Sequence, residues 1–75
     1  MRIEFTNNAL ARMLDRDIRE TDVETALDAP DYLGPSFGKR WHARRHIERG
    51  TLEVIFVRQR ALMQVLTAYW QDARP

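Results

Sequence analysis

The sequence has 75 residues, of which 44% are hydrophobic and 31% are charged, and its formal net charge is +1 at pH 7. This length and composition predict one folded domain over residues 1–75 and exclude a disordered chain. The absence of cysteine excludes disulfides and thiolate metal sites. The sequence shows no signal-peptide core and no run of the roughly 18 apolar residues that a membrane span needs. We therefore expect a cytoplasmic protein without a membrane partner.

The charged residues are unevenly distributed along the chain. Residues 1–31 carry eight acidic and four basic side chains, a net charge of −4, whereas residues 32–75 carry three acidic and eight basic ones, a net charge of +5. The basic half either binds a polyanion or is simply the more positive side of a soluble surface.

The first half of the chain predicts one strand and two helices. Residues 2–5 alternate polar and apolar side chains, as a strand does. Thr6 is a candidate N-cap for a helix over residues 7–17. Thr21 and Glu24 fit a capping box at the start of a second helix. The apolar stripes expected to pack these helices are Ala9, Leu10, Met13 and Leu14 in the first, and Val23, Ala26 and Leu27 in the second.

The second half predicts a loop followed by three strands. Residues 31–38 are rich in glycine and proline and indicate a loop, with Phe37 and its apolar neighbours lying against the body of the domain. Strands are predicted over residues 38–49, 51–57 and 62–70, joined by tight turns into an antiparallel meander. The predicted fold class is α+β in the order β-α-α-β-β-β. Its helical hairpin packs on one face of a small antiparallel sheet and leaves the other face open.

The strand over residues 38–49 holds both histidines and five of the twelve basic residues. Because alternate side chains of a strand point to opposite faces, one face would carry Arg40, His42, Arg44 and His46, which we call the basic row. Imidazoles transfer protons near neutral pH, and guanidinium groups bind phosphate bidentately. The alternative is a solvated face whose charges resist aggregation.

Other side chains add to this candidate site. The two histidines would lie roughly 13 Å apart along the strand, and no third histidine or cysteine exists, so we expect neither a metal site nor a cofactor. The hydroxyls of Thr67 and Tyr69 could position a phosphate. Strict alternation puts them on one face with Met63 and Val65, and the pattern leaves open whether that face is buried. Glu53 is either a base or a charge partner of a neighbouring arginine.

Three motifs follow one another along the chain. Residues 3–13 are similar to the pattern T-x-H-A-x-x-R-M, residues 17–27 to R-G-I-S-x-x-x-V-x-x-A-L, and residues 65–69 to V-x-T-A-Y. Together they resemble the small bacterial family called domain of unknown function 4258, which is similar to the RelE/ParE-like toxin fold and to barnase- and colicin-like ribonucleases. The resemblance implies a metal-independent endoribonuclease or a toxin-module protein held by an antitoxin.

The same resemblance carries particular positions over to this chain. It implies site roles for Arg12, Thr67 and Tyr69. The family usually has histidine where this chain has Asn8. Asparagine can bind a phosphate by hydrogen bonds but does not shuttle protons at neutral pH, so Asn8 is assigned to RNA binding.

Three functions fit these features. In a metal-independent endoribonuclease, His42 or His46 would transfer protons. Arg12, Arg40 and Arg44 would stabilise the charge of the phosphate. In a non-catalytic module, the same basic row would bind RNA through its phosphates. In a protein-interaction module of the antitoxin or immunity kind, or in a homodimer, a sheet edge would capture a partner.

Overall fold

The computed structural model describes residues 2–71. In that part of the chain two helices pack on one face of a five-stranded mixed sheet, which confirms the α+β class. No helix among these residues is long and apolar enough to cross a bilayer. The elements are β1 (Arg2–Phe5), α1 (Asn7–Asp15), α2 (Glu20–Asp28), β2 (Tyr32–Pro35), β3 (Trp41–Ile47), β4 (Gly50–Gln59) and β5 (Leu62–Trp70).

The strand order across the sheet is β1-β5-β4-β3-β2. The antiparallel meander of β3, β4 and β5 is confirmed. The sheet as a whole is mixed rather than antiparallel as predicted, because β1 pairs with β5 in parallel. The helices carry the chain to the far edge of the sheet, and the successive hairpins bring it back beside β1 in the same direction.

The predicted loop over residues 31–38 contains a strand. Tyr32–Pro35 pairs with β3 as the outermost strand of the sheet, so the order becomes β-α-α-β-β-β-β. A proline is tolerated there because an edge strand has one side without ladder hydrogen bonds. The hairpin loop that follows spans residues 36–40. Phe37 in this loop is 86% exposed, so the expectation that it lies against the body is wrong.

Helix α1 begins where the sequence predicts. The Thr6 hydroxyl accepts a hydrogen bond from the backbone N–H of Ala9 at 3.0 Å, which confirms the N-cap. The helix ends at Asp15 rather than at Asp17, because Asp17 has φ 55° and this left-handed conformation cannot continue a right-handed helix.

Helix α2 begins one residue before the predicted cap. It starts at Glu20 with Arg19 as the flanking residue, and the Asp22 carboxylate accepts a hydrogen bond from the Arg19 backbone N–H at 3.0 Å. The predicted capping box of Thr21 and Glu24 is therefore wrong. An acidic group in the first turn also interacts favourably with the positive end of the helix dipole.

The core lies between the helices and one face of the sheet. The Leu14 side chain is 83% exposed, so this member of the predicted stripe of α1 does not pack. The sheet face away from the helices, which we call the open face, carries no further layer in the described residues. The buried apolar residues are Ala9, Met13, Ile18, Val23, Ala26, Ala43, Leu52, Val54, Phe56, Val65 and Ala68.

A bulge in β5 determines which of its side chains reach the open face. Ile55 pairs with Thr67, and Phe56 pairs with Val65, so Leu66 is an extra residue without a partner on β4. Such a bulge breaks the alternation of side chains. Thr67 therefore lies on the face opposite to Val65, although strict alternation predicts that they share one face.

Replacing the two phenylalanines with alanine tests this placement of the core. Phe56 is 1% exposed and Phe37 is 86% exposed. Phe56→Ala should lower the free energy of unfolding by about 3–5 kcal/mol, because it removes buried surface and leaves a cavity. Phe37→Ala should change it by less than about 0.5 kcal/mol. Denaturant titration followed by circular dichroism measures both, and equal destabilisation would contradict the fold.

Candidate functional site

Four side chains lie side by side across the open face. Tyr32 on β2 pairs with Arg44 on β3, Arg44 pairs with Glu53 on β4, and Glu53 pairs with Tyr69 on β5. Residues that pair across a sheet have neighbouring side chains on the same face. We call Tyr32, Arg44, Glu53 and Tyr69 the Glu53 row.

A second row crosses the same four strands two residues closer to the hairpin loop. It contains Gly34, His42, Ile55 and Thr67. The two rows together bring four predicted site residues to one surface. These residues are His42, Arg44, Thr67 and Tyr69.

Glu53 is the centre of this arrangement. Its side chain is only 5% exposed, and its carboxylate Oε1 accepts a hydrogen bond from Nε2 of His42. The Arg44 Nη2 lies 3.7 Å from the same oxygen. Burying a carboxylate costs several kcal/mol unless it is paired and hydrogen-bonded. His42 and Arg44 supply that compensation, and Glu53 in turn fixes the position of both side chains.

The hydrogen bond to Glu53 selects one tautomer of neutral His42. Because a carboxylate accepts, the proton lies on Nε2 and the lone pair of Nδ1 is free to accept a proton. Within residues 2–71 the Nδ1 atom has no hydrogen-bond partner, and it is not fully buried. The imidazole side chain is 19% exposed. Nδ1 of neutral His42 is therefore a hydrogen-bond acceptor that solvent can reach.

The Tyr32 ring forms one wall of the site. The Arg44 guanidinium carbon lies 5.3 Å from the ring centroid, a cation–π distance. The His42 ring meets Tyr32 edge to face with centroids 5.9 Å apart. Gly34 makes room for this wall, because a Cβ atom there would lie 2.8 Å from the Tyr32 Cζ. Any larger residue at position 34 must displace the ring.

The environment of Tyr69 changes the acidity of its phenol. Burial raises the pKa of Tyr69 above 10.0, the Glu53 carboxylate raises it further, and the Arg44 guanidinium lowers it. Tyr69 is therefore protonated at neutral pH and can donate a hydrogen bond. The two charged members of the Glu53 row therefore act on the pKa of Tyr69 in opposite directions.

Two members of the basic row, Arg40 and His46, lie away from His42 and the Glu53 row. Arg40 belongs to the hairpin loop, because β3 begins only at Trp41, so its predicted strand position is wrong. His46 lies at the opposite end of β3, where its Nδ1 is 3.1 Å from the Thr51 hydroxyl. The structure therefore does not bring His46 to the Glu53 carboxylate.

Arg12 and Asn8 also lie away from His42 and the Glu53 row. Arg12 is on α1, on the helix side of the sheet, and its Nη1 lies 3.6 Å from the Asp15 carboxylate. Asn8 donates a hydrogen bond from Nδ2 to the backbone oxygen of Leu66 at 3.2 Å. This hydrogen bond gives a partner to the backbone oxygen of the extra residue in β5, which lies just beyond the end of the pairing with β1. The structure places neither residue beside His42.

Sequence reasoning missed two features of the site. Tyr32 was hidden because the neighbouring glycine and proline indicate a loop. The hydrogen bond between His42 and Glu53 was also missed, whereas the alternative in which Glu53 is the charge partner of a neighbouring arginine fits the 3.7 Å approach of Arg44. In residues 2–71 no group of three or more histidine, aspartate or glutamate side chains is placed to hold a metal ion.

Comparisons of the chain with protein-family models, curated proteins and solved structures found no match.

The pKa of Tyr69 tests the coupling along the Glu53 row. In a Tyr32→Phe background, the phenolate absorbance reports Tyr69 alone, and its pKa should exceed 10.0. Adding Glu53→Gln should lower this pKa, because the phenolate loses a repelling charge. Adding Arg44→Gln should raise it, because the phenolate loses an attracting charge. A pKa that neither substitution moves would show that the row is not electrostatically coupled.

Proposed function

We propose that this protein is a metal-independent endoribonuclease whose reaction takes place on the open face, at His42 and the Glu53 row. The observation that carries this proposal is the buried Glu53 carboxylate, which orients His42 and leaves its Nδ1 atom open to solvent. A carboxylate that fixes the tautomer of an accessible imidazole is the arrangement that general-base catalysis needs. Arg44 and Tyr69, on either side of Glu53, add a cation and a hydrogen-bond donor.

The proposed reaction is transfer of the RNA phosphate to its own ribose. Nδ1 of His42 accepts the proton of the 2′-hydroxyl, and the resulting oxygen bonds to the adjacent phosphorus. The bond from phosphorus to the 5′-oxygen breaks, and that oxygen takes a proton from the Tyr69 phenol. Arg44 stabilises the negative charge of the pentacoordinate transition state. The products are a 2′,3′-cyclic phosphate and a free 5′-hydroxyl.

The sequence resemblance to domain of unknown function 4258 supports this proposal independently of the site geometry. It implies the same reaction class, and two of the positions that it carries over, Thr67 and Tyr69, lie on the open face with His42. By the same resemblance we propose a toxin-module protein that a cognate antitoxin holds in check, and we place it in the cytoplasm. The absence of cysteine from the chain is compatible with that reducing compartment.

Cleavage assays on partner-free protein test the proposal. Tyr69→Phe removes one hydroxyl and leaves the packing of its ring, so this variant should fold normally and cleave more slowly. His42→Ala should lower the cleavage rate by about 10²–10⁴-fold, the usual contribution of a positioned general base. The product ends, identified by mass spectrometry, should include the cyclic phosphate.

The matched control is His46→Ala, because it removes the other histidine, whose Nδ1 lies beside the Thr51 hydroxyl at the far end of β3. This variant should cleave RNA at the wild-type rate. Circular dichroism of each variant separates loss of catalysis from loss of folding. A wild-type protein that leaves RNA intact, or a His46→Ala variant that is as inactive as His42→Ala, would overturn the assignment of His42.

The second candidate is a non-catalytic RNA-binding module. It is favoured by one contact, since Asn8 satisfies a backbone oxygen of the bulge where a histidine would stand in the family pattern. Such a module predicts RNA binding that weakens steeply with salt and no turnover. Salt-dependent affinity without cleavage in the assay above would favour this function.

A further inference from the structure

Two hairpins project from the same end of the sheet. Trp41 pairs with Phe56 at the last shared position of β3 and β4, and β4 continues beyond this pair to Gln59. The hairpin loop of residues 36–40 and the turn at residues 60–61 therefore leave the sheet side by side. The loop begins two residues after Gly34 and ends two residues before His42, next to the second row of the open face.

Both hairpins are basic. Residues 32–47 and 54–71 contain no aspartate and no glutamate. Four basic residues at this end are exposed, and none has an ion-pair partner among residues 2–71. These residues are Lys39, Arg40, Arg58 and Arg60. Exposed cations that no ion pair neutralises attract a polyanion.

Phe37 is the exposed aromatic residue at the tip of the first hairpin. Its side chain is 86% exposed, the highest value among the large apolar residues described. The loop is nevertheless ordered, because the Ser36 N–H donates to the Arg40 backbone oxygen at 2.8 Å and the Arg40 N–H donates to the Phe37 oxygen at 3.4 Å. The turn therefore holds an aromatic ring out in solvent, two residues before Lys39 and three before Arg40.

We propose that this end of the sheet is a binding site for unpaired RNA, with a nucleobase stacked on Phe37 and phosphates on the four basic residues named above. Aromatic rings that alternate with cations bind single strands, because every base has a face to stack and paired bases do not expose it. Arg40 lies about 7 Å along the strand direction from His42. A bound strand would continue from the hairpin across the second row, past His42, to the exposed Tyr32 ring of the Glu53 row. The inference rests on the proposed ribonuclease, for which it gives unpaired RNA as the substrate. Binding of that RNA can be measured without cleavage.

The test measures affinity for an RNA that cannot be cleaved. A fluorescently labelled oligoribonucleotide with 2′-O-methyl groups lacks the nucleophile, so its anisotropy with wild-type protein reports binding alone. Phe37→Ala should weaken single-strand binding by about 5- to 150-fold, the loss expected for one stacked base. Phe37→Trp should retain the affinity, because a larger ring still stacks. A duplex of the same sequence should bind more weakly than the single strand.

Two controls separate stacking from general effects. Leu14→Ala removes another exposed apolar side chain, 83% exposed on the helix side, and should leave the affinity unchanged. Lys39→Gln and Arg40→Gln should each make the logarithm of affinity less dependent on the logarithm of salt concentration, by about one unit of slope for a phosphate contact.

The outcomes also separate this inference from the proposed reaction. Weaker binding by Phe37→Ala together with a wild-type protein that cleaves no RNA would support the binding site and reject the catalytic proposal. Cleavage by the wild type with unchanged affinity in Phe37→Ala would reject the binding site alone. Absence of binding to the single strand, or equal binding to the duplex, would likewise overturn the inference.

Discussion

The buried carboxylate of Glu53 is the constraint that organises the open face. A charge in the central strand of so small a domain must be compensated by neighbours on the same face, and the register provides His42 and Arg44. The hydrogen bond and the ion pair restrict the conformations of the Glu53, His42 and Arg44 side chains. The network that satisfies a requirement of folding is therefore the same network that presents an oriented imidazole and guanidinium to solvent.

The bulge at Leu66 has consequences on both sides of the sheet. Before the bulge, β5 supplies Val65 to the core, and after it the strand supplies Thr67 to the open face. The bulge also turns the Leu66 carbonyl toward the edge of β5, where Asn8 and the Thr6 hydroxyl donate to it at 3.2 Å and 3.4 Å. The start of α1 thus takes over the hydrogen-bonding role that β1 has for the first half of the strand.

Periodicity was sufficient to predict the helices, the meander and the open face, since each depends on local patterns of apolar residues. It failed for β2, because Gly34 and Pro35 indicate a loop whereas the edge of a sheet tolerates both. It also failed for the faces of β5, because no local signal marks the extra residue at Leu66. At the site, His42 and Arg44 followed from alternation alone. The neighbourhood of Glu53, Tyr32 and Tyr69 depends on pairing across four strands, which a single sequence specifies only through its turns.

The parallel pairing of β1 with β5 joins the two ends of the described chain. Arg2 pairs with Leu62 and Phe5 with Val65, so β1 has no strand to pair with until the chain has been synthesised through β5. A contact between such distant residues requires a large loop to close, which slows folding. The open face is therefore completed late, because β5, which carries Tyr69, is also the strand with which β1 pairs. A ribosome-bound chain that ends before β5 lacks both the closed sheet and the phenol of the proposed site.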